Sequence, residues 1–241
     1  MAKIPEDPLT ICDEFAADYE KVFGDDLVSI ILYGSVAKGE YRYKSSDINF
    51  LIVLTEAGIQ DLGRCLDLIP KWHKYNVSTP QFLTKEYIVT SLDSFPIEFL
   101  DMKTYHRVVH GEDVLTGLDI KESDLRLQCE REVKGDFFHL REGYLNTAHD
   151  TKLMCQLISQ SLVSFASVFS ALLTLKKSDV PGKKMDVFSE IAKVYELDAD
   201  LFEKLLSVRE GRIKPSKFEL RALIEKYIQE ISKLTKIVDK L

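Results

Sequence analysis

Two short apolar runs, Leu27–Tyr33 (LVSIILY) and Ile48–Leu54 (INFLIVL), bracket a polar loop that holds Gly34, Gly39, Lys38, Arg42 and Lys44. Each run is too short for a stable helix and rich in Ile, Leu and Val, so both read as buried strands. Strands apolar on both faces need helices packed against their sheet, and that requirement constrains the fold more than any other feature of the chain. Residues Leu27–Val114 alternate such runs with turn and helix signals, the pattern of a mixed α/β unit. Helices are expected over Leu9–Val22 and Ile59–Ile69, and a further strand over Phe95–Met102, introduced by Pro96.

From about Glu122 the pattern is helical to the end. Leu125, Cys129, Val133, Phe137, Leu140 and Tyr144 recur at three- and four-residue steps and line one helix face. Asp179-Val180-Pro181-Gly182 breaks a later helix, and Ser216 with Glu219 forms a capping box that opens the last one. Its Leu220, Ile224, Tyr227, Ile231, Leu234, Val238 and Leu241 step as a heptad seam, which packs inside a bundle or, as the alternative, joins two copies in a homodimer. The expected fold class is α+β: a mixed sheet flanked by helices over residues 1–118, followed by an all-α bundle over 119–241.

Leu153–Leu175 carries no charge and is long enough to span a bilayer. Gln156, Gln160 and a series of serines interrupt it, so it reads as a central bundle helix and no membrane is expected. A formal net charge of −7 excludes a protein that coats long nucleic acid, which needs a basic surface. Cys12, Cys65, Cys129 and Cys155 form no C-x-x-C pair, and MAKIPEDPLT lacks an apolar leader; both point to a cytoplasmic protein with reduced thiols.

The polar loop carries the chemistry. Gly34 and Gly39 have P-loop spacing, but Glu40-Tyr41 stand where Lys and Ser/Thr must follow, and no G-x-G-x-x-G is present. In a strand starting at Asp47, residues Asp47, Asn49, Leu51 and Val53 share one face, so two polar groups at its mouth converge on a cation. A Gly34-Ser35 turn leading from strand to helix offers donors to a phosphate, and Lys38, Arg42 and Lys44 add positive charge.

Gly34-Ser35-x-Ala37-x-Gly39 followed by Ser46-Asp47-x-Asn49 resembles the GS-x-A-x-G…SD-x-D signature of the nucleotidyltransferase superfamily, which includes DNA polymerase beta and antibiotic-modifying enzymes. The resemblance covers Leu27–Leu115 and implies transfer of a nucleoside monophosphate from a nucleoside triphosphate to an acceptor hydroxyl, with the helical part holding the acceptor. It implies Mg2+ (or Mn2+) bound by two aspartates on one strand and a third carboxylate on an adjacent strand. Gly34, Ser35, Lys38, Arg42, Lys44 and Ser46 would line the nucleotide; Asp47, Asn49 and Glu98 would hold metal. Glu98, a charge within Phe95-Ile97-Phe99, is the first choice for the third carboxylate and for a general base; Asp101, on the opposite face by strand parity, is the alternative.

Asn49 departs from the signature, because its amide brings no negative charge to a site that hard cations prefer to build from carboxylates. A nucleotide-binding regulatory module, or one member of a regulatory protein pair, is the alternative to a transferase. The acceptor would be a small molecule or a protein. His106 and His110 have metal-like spacing without a third ligand, and Lys176-Lys177 and Lys183-Lys184 flank the inter-helix turn as a solvated loop end or a second phosphate contact.

Overall fold

The computed structural model describes residues 3–183 and 185–241, and Lys184 lies outside them. The chain divides into two compact units, Met1–Ile120 and Lys121–Leu241.

In the first unit, a 3-10 turn runs into α1 (Cys12–Phe23), followed by β1 (Leu27–Tyr33) and β2 (Asn49–Leu54). After β2 come α2 (Glu56–Ile59), α3 (Leu68–His73), β3 (Gln81–Thr84), α4 (Lys85–Thr90), α5 (Pro96–Thr104) and β4 (His106–Gly111). The sheet order is β3-β2-β1-β4, with β2 parallel to β3 and β1 antiparallel to both β2 and β4. Both faces of the two central strands are covered, which is why their sequences are continuously apolar rather than alternating. Ile30, Leu32, Phe50 and Ile52 pack with Phe15 and Tyr19 of α1 and with Trp72. On the other face, Ile31, Leu51 and Val53 pack with Ile88, Phe99 and Met102.

Two expectations for this unit need correction. Phe95–Met102 is not a strand: α5 has Pro96 in its first turn and buries Ile97, Phe99 and Met102. Proline is well tolerated there because the amide it lacks is one a helix start cannot bond anyway. Ile59–Ile69 is not one helix either but breaks into α2, a 3-10 turn over Leu62–Cys65, and α3. Gly63 lies in that stretch, and glycine weakens a helix interior.

The second unit contains α6 (Glu122–Asn146), α7 (Thr151–Leu175), α8 (Val187–Val194), α9 (Ala199–Arg209) and α10 (Lys217–Val238). Both arms of the Ser216–Glu219 capping box are formed. Six of the seven seam residues, from Leu220 to Val238, are fully buried within the unit, so that part of the seam is not open to a second copy; Leu241 lies beyond α10 and is exposed. One helix, α7, is long and apolar enough to cross a membrane by length and composition, and it turns Met154, Ile158, Leu162, Phe165, Phe169 and Leu172 into the bundle core. There Phe169 meets Phe188 and Phe202 edge-on, and Phe202 meets Tyr227.

The Tyr19 hydroxyl in the first unit is buried with no hydrogen-bond partner among the described residues, and its burial pushes the phenol's pKa well above the usual range. A buried polar group without a partner costs free energy, so Tyr19→Phe is expected to stabilise the protein by about 1 kcal/mol. A urea midpoint that falls in this variant would contradict that account.

Candidate functional site

The site forms where β1 ends and β2 begins. Tyr33, the last residue of β1, pairs with Asn49, the first of β2, so the turn after Tyr33 and the loop before Asn49 start side by side. Gly34 has φ +74° and approaches Asn49 so closely that a Cβ at this position would lie 2.9 Å from Asn49 Nδ2. Only glycine meets both demands without strain.

The expected helix after Gly34-Ser35 is absent; residues 34–39 instead form one tight turn. Lys38 N–H donates to the Gly34 carbonyl at 3.0 Å, Gly39 N–H to Val36 at 3.1 Å and Glu40 N–H to Ser35 at 2.8 Å. The amides of Ser35, Val36 and Ala37 donate to no acceptor among the described residues. Three adjacent free amides at the start of a turn make an anion-binding concavity without a full helix.

At the strand mouth the structure separates the residues that the sequence grouped. Asp47 is exposed and precedes β2 rather than opening it, while Ile48 makes a parallel bridge to Val77. Asn76, with φ +63°, donates its side-chain amide to Ser46 O at 3.0 Å and to Asp47 Oδ1 at 3.2 Å. Ser78 donates its hydroxyl to Asn49 Oδ1 at 2.7 Å. Asn76 and Ser78 are the site residues that sequence reasoning missed. A neutral serine ahead of a strand has no signature of its own, and only the β2–β3 pairing reveals what it faces.

Glu98 and Asp101 lie on a helix, so the strand-parity argument for opposite faces fails; three residues apart on α5, they share one side. Glu98 lines a cavity beside β3. Asp101 accepts a 2.5 Å hydrogen bond from Lys38 Nζ, which also lies 5.2 Å from the centre of the Tyr105 ring. This ion pair neutralises both the lysine expected to meet phosphate and the alternative third carboxylate. The strands β1 to β4 contain no Asp or Glu, so neither neighbour of β2 supplies the carboxylate that the resemblance implies. Among the described residues no group of three or more His, Cys, Asp or Glu is placed to hold a metal ion.

The other candidates are placed as follows. Ser46 uses its hydroxyl to accept the Arg42 amide at 3.0 Å, which shapes the loop. Arg42 and Lys44 are exposed on that loop, Lys44 lying over the Tyr43 ring. His106 and His110 are on β4 rather than a helix; His106 pairs with Asp113 at 3.3 Å. Hydrogen bonds from Thr116 and from the Thr116 and Leu115 amides hold the Asp113 carboxyl well below the usual range. Lys176 lies over the Tyr195 ring and Lys177 pairs with Glu122.

Judged by its donor set, the mouth of β2 does not fit a two-metal centre. One carboxylate, one amide already engaged by Ser78 and one hydroxyl stand where three anionic ligands are needed. The free amides beside Gly34 still fit a phosphate.

No family model matches the chain, and no curated protein matches it. Among solved structures, it is similar to spectinomycin adenyltransferase AAD(9) from Enterococcus faecialis, a structure with ATP and spectinomycin. The TM-score is 0.56 at 14% identity, covering 93% of this chain and 99% of that one. The likeness shows the fold: a nucleotidyltransferase-type α+β unit with a C-terminal helical region.

Proposed function

We propose that this chain, built on a nucleotidyltransferase fold, binds a nucleoside triphosphate at the turn after Gly34 and acts as a nucleotide-binding regulatory module with greatly slowed transfer. The observation that carries this reading is a turn with three adjacent free amides beside a strand mouth that carries one carboxylate among the described residues. Ser35, Val36 and Ala37 offer free amides, while Asn49 is bonded to Ser78 in place of a carboxylate pair. Fold likeness to a protein solved with ATP supports the nucleotide as ligand.

In this reading Asp47 is, among the described residues, the sole anionic group at the strand mouth. A divalent ion therefore enters only with the nucleotide that carries it. Such an ion would neutralise phosphate charge; the chain's own residues bind and orient the phosphates and do not assemble the second ion of a transfer site. Slow transfer to a hydroxyl of a small molecule or a protein is the second reading, supported by the retention of Asp47.

Calorimetry of each triphosphate with the unaltered protein and with Asp101→Asn tests the proposal. Binding is expected for at least one triphosphate, and it should strengthen severalfold in the variant because Lys38 is released from its carboxylate partner. Absence of binding by any triphosphate would overturn the reading.

A further inference from the structure

Within the second unit, α6 and α7 are closely packed but not packed shut. At Gly143 of α6 the two helices come so near that a Cβ there would lie 2.5 Å from Leu157 Cδ1. Yet the same two residues border a cavity of about 280 Å³ between the helices. On its lining Leu140 and Phe165 are buried, while His139, Gln160 and Ser164 are exposed, so the cavity runs from a polar rim to an apolar floor. Protein interiors are packed with few voids, and a concave space with an apolar floor and a few polar groups has the build of a small-molecule site.

Asp136 is the carboxylate of this cavity. Its Oδ1 accepts the Ser164 hydroxyl at 2.5 Å, and its Oδ2 accepts nothing from the described residues. No Lys or Arg lines the cavity; the charges acting on Asp136 are Glu132, which repels it, and the exposed His139. Burial above all pushes its carboxyl up from the usual range. A partly buried carboxylate without a cation is costly. A second polar group is orphaned at the same place. Tyr227 of α10 is fully buried, its ring meets Phe165 edge-on at 6.0 Å, and its hydroxyl has no hydrogen-bond partner among the described residues. Ser161, beside that hydroxyl and on the cavity lining, donates instead to the Ile158 carbonyl at 3.1 Å, and the Asp136 charge acts on the hydroxyl as well.

We propose that this cavity binds a small organic ammonium ion, a primary amine on a body of about one ring, whose N–H groups bond Asp136 and the Tyr227 hydroxyl while Leu140, Leu157 and Phe165 enclose its apolar part. The ammonium supplies the cation that Asp136 lacks and a donor for the phenol oxygen. An anion would be repelled by Asp136 and Glu132, which excludes a nucleotide phosphate from this place. The cavity lies in the helical unit, and the proposal rests on no reading of the turn after Gly34.

The test is ligand-observed NMR titration of the full chain at neutral pH with benzylamine, cyclohexylamine and 2-phenylethylamine, each beside the alcohol of the same skeleton. Saturable binding of at least one amine is expected, tighter than its alcohol by about tenfold or more, since hydrogen bonds to charged groups are the strong ones. That comparison needs no variant. Asp136→Asn, its fold checked by thermal midpoint, should lose the preference for the amine, and Tyr227→Phe should weaken the amine severalfold. Binding of no amine would leave the cavity to solvent and overturn the proposal. Equal affinity for amine and alcohol would overturn it too, as would amine affinity unchanged in Asp136→Asn or in Tyr227→Phe.

Discussion

Changing Asn49 and Ser78 together to aspartate is expected to create a divalent-cation site that the unaltered protein lacks, raising Mn2+ affinity by at least about tenfold, since ligand charge count tunes such sites over orders of magnitude. The two side chains already touch, with the Ser78 hydroxyl 2.7 Å from Asn49 Oδ1, and Asp47, two residues before Asn49, is held by the Asn76 side chain. Without metal, three clustered carboxylates repel and the double variant should be less stable than the parent. Added Mn2+ should then raise its thermal midpoint while leaving the parent unchanged, because a ligand that binds only the folded state stabilises it. Asn49→Asp alone should give a smaller gain. If Mn2+ binds parent and double variant equally, the site was never depleted of ligands, and the account of it is wrong.

Gly34→Ala is the second large effect. At φ +74° an alanine pays about 1–2 kcal/mol of backbone strain, and its Cβ would also press to 2.9 Å of Asn49 Nδ2. That amide cannot easily yield, because Ser78 holds its oxygen. The expected outcome is a stability loss of about 2–3 kcal/mol, the range typical of strain combined with a disturbed polar contact, and a loss of triphosphate binding. Gly39→Ala is the control. Gly39 has φ +72°, but nothing lies within 4 Å of a Cβ there, so this variant carries the strain without the clash. Triphosphate affinity should fall for Gly34→Ala and stay near the parent's for Gly39→Ala. Equal losses in the two would show that the approach to Asn49 does not matter.

The turn after Gly34 was legible in the sequence as a candidate site because its residues are conspicuous where they stand. Two glycines, a serine and three cations between two buried strands need a reason, and Asp47 and Asn49 at the edge of an apolar run need another. The bundle was legible because α10 keeps a single seam from Leu220 to Val238 with a capping box before it. The third ligand position was not. Phe95-Ile97-Phe99 alternates over a stretch too short to separate strand from helix, and the apolar contacts at Phe99 and Met102 turned out to follow helical spacing. Ser78 was invisible because its role depends on the parallel pairing of β2 with β3, which no local pattern announces. The Lys38–Asp101 ion pair joins residues 63 positions apart, and nothing in either segment marks them as partners.

The most direct measurement counts Mn2+ ions bound to the unaltered protein at saturating ATP, by electron paramagnetic resonance. The account predicts no more than one ion per protein, arriving with the nucleotide, and none when ATP is omitted. Two bound ions, one of them retained without nucleotide, would contradict it and return the site to a two-metal transferase.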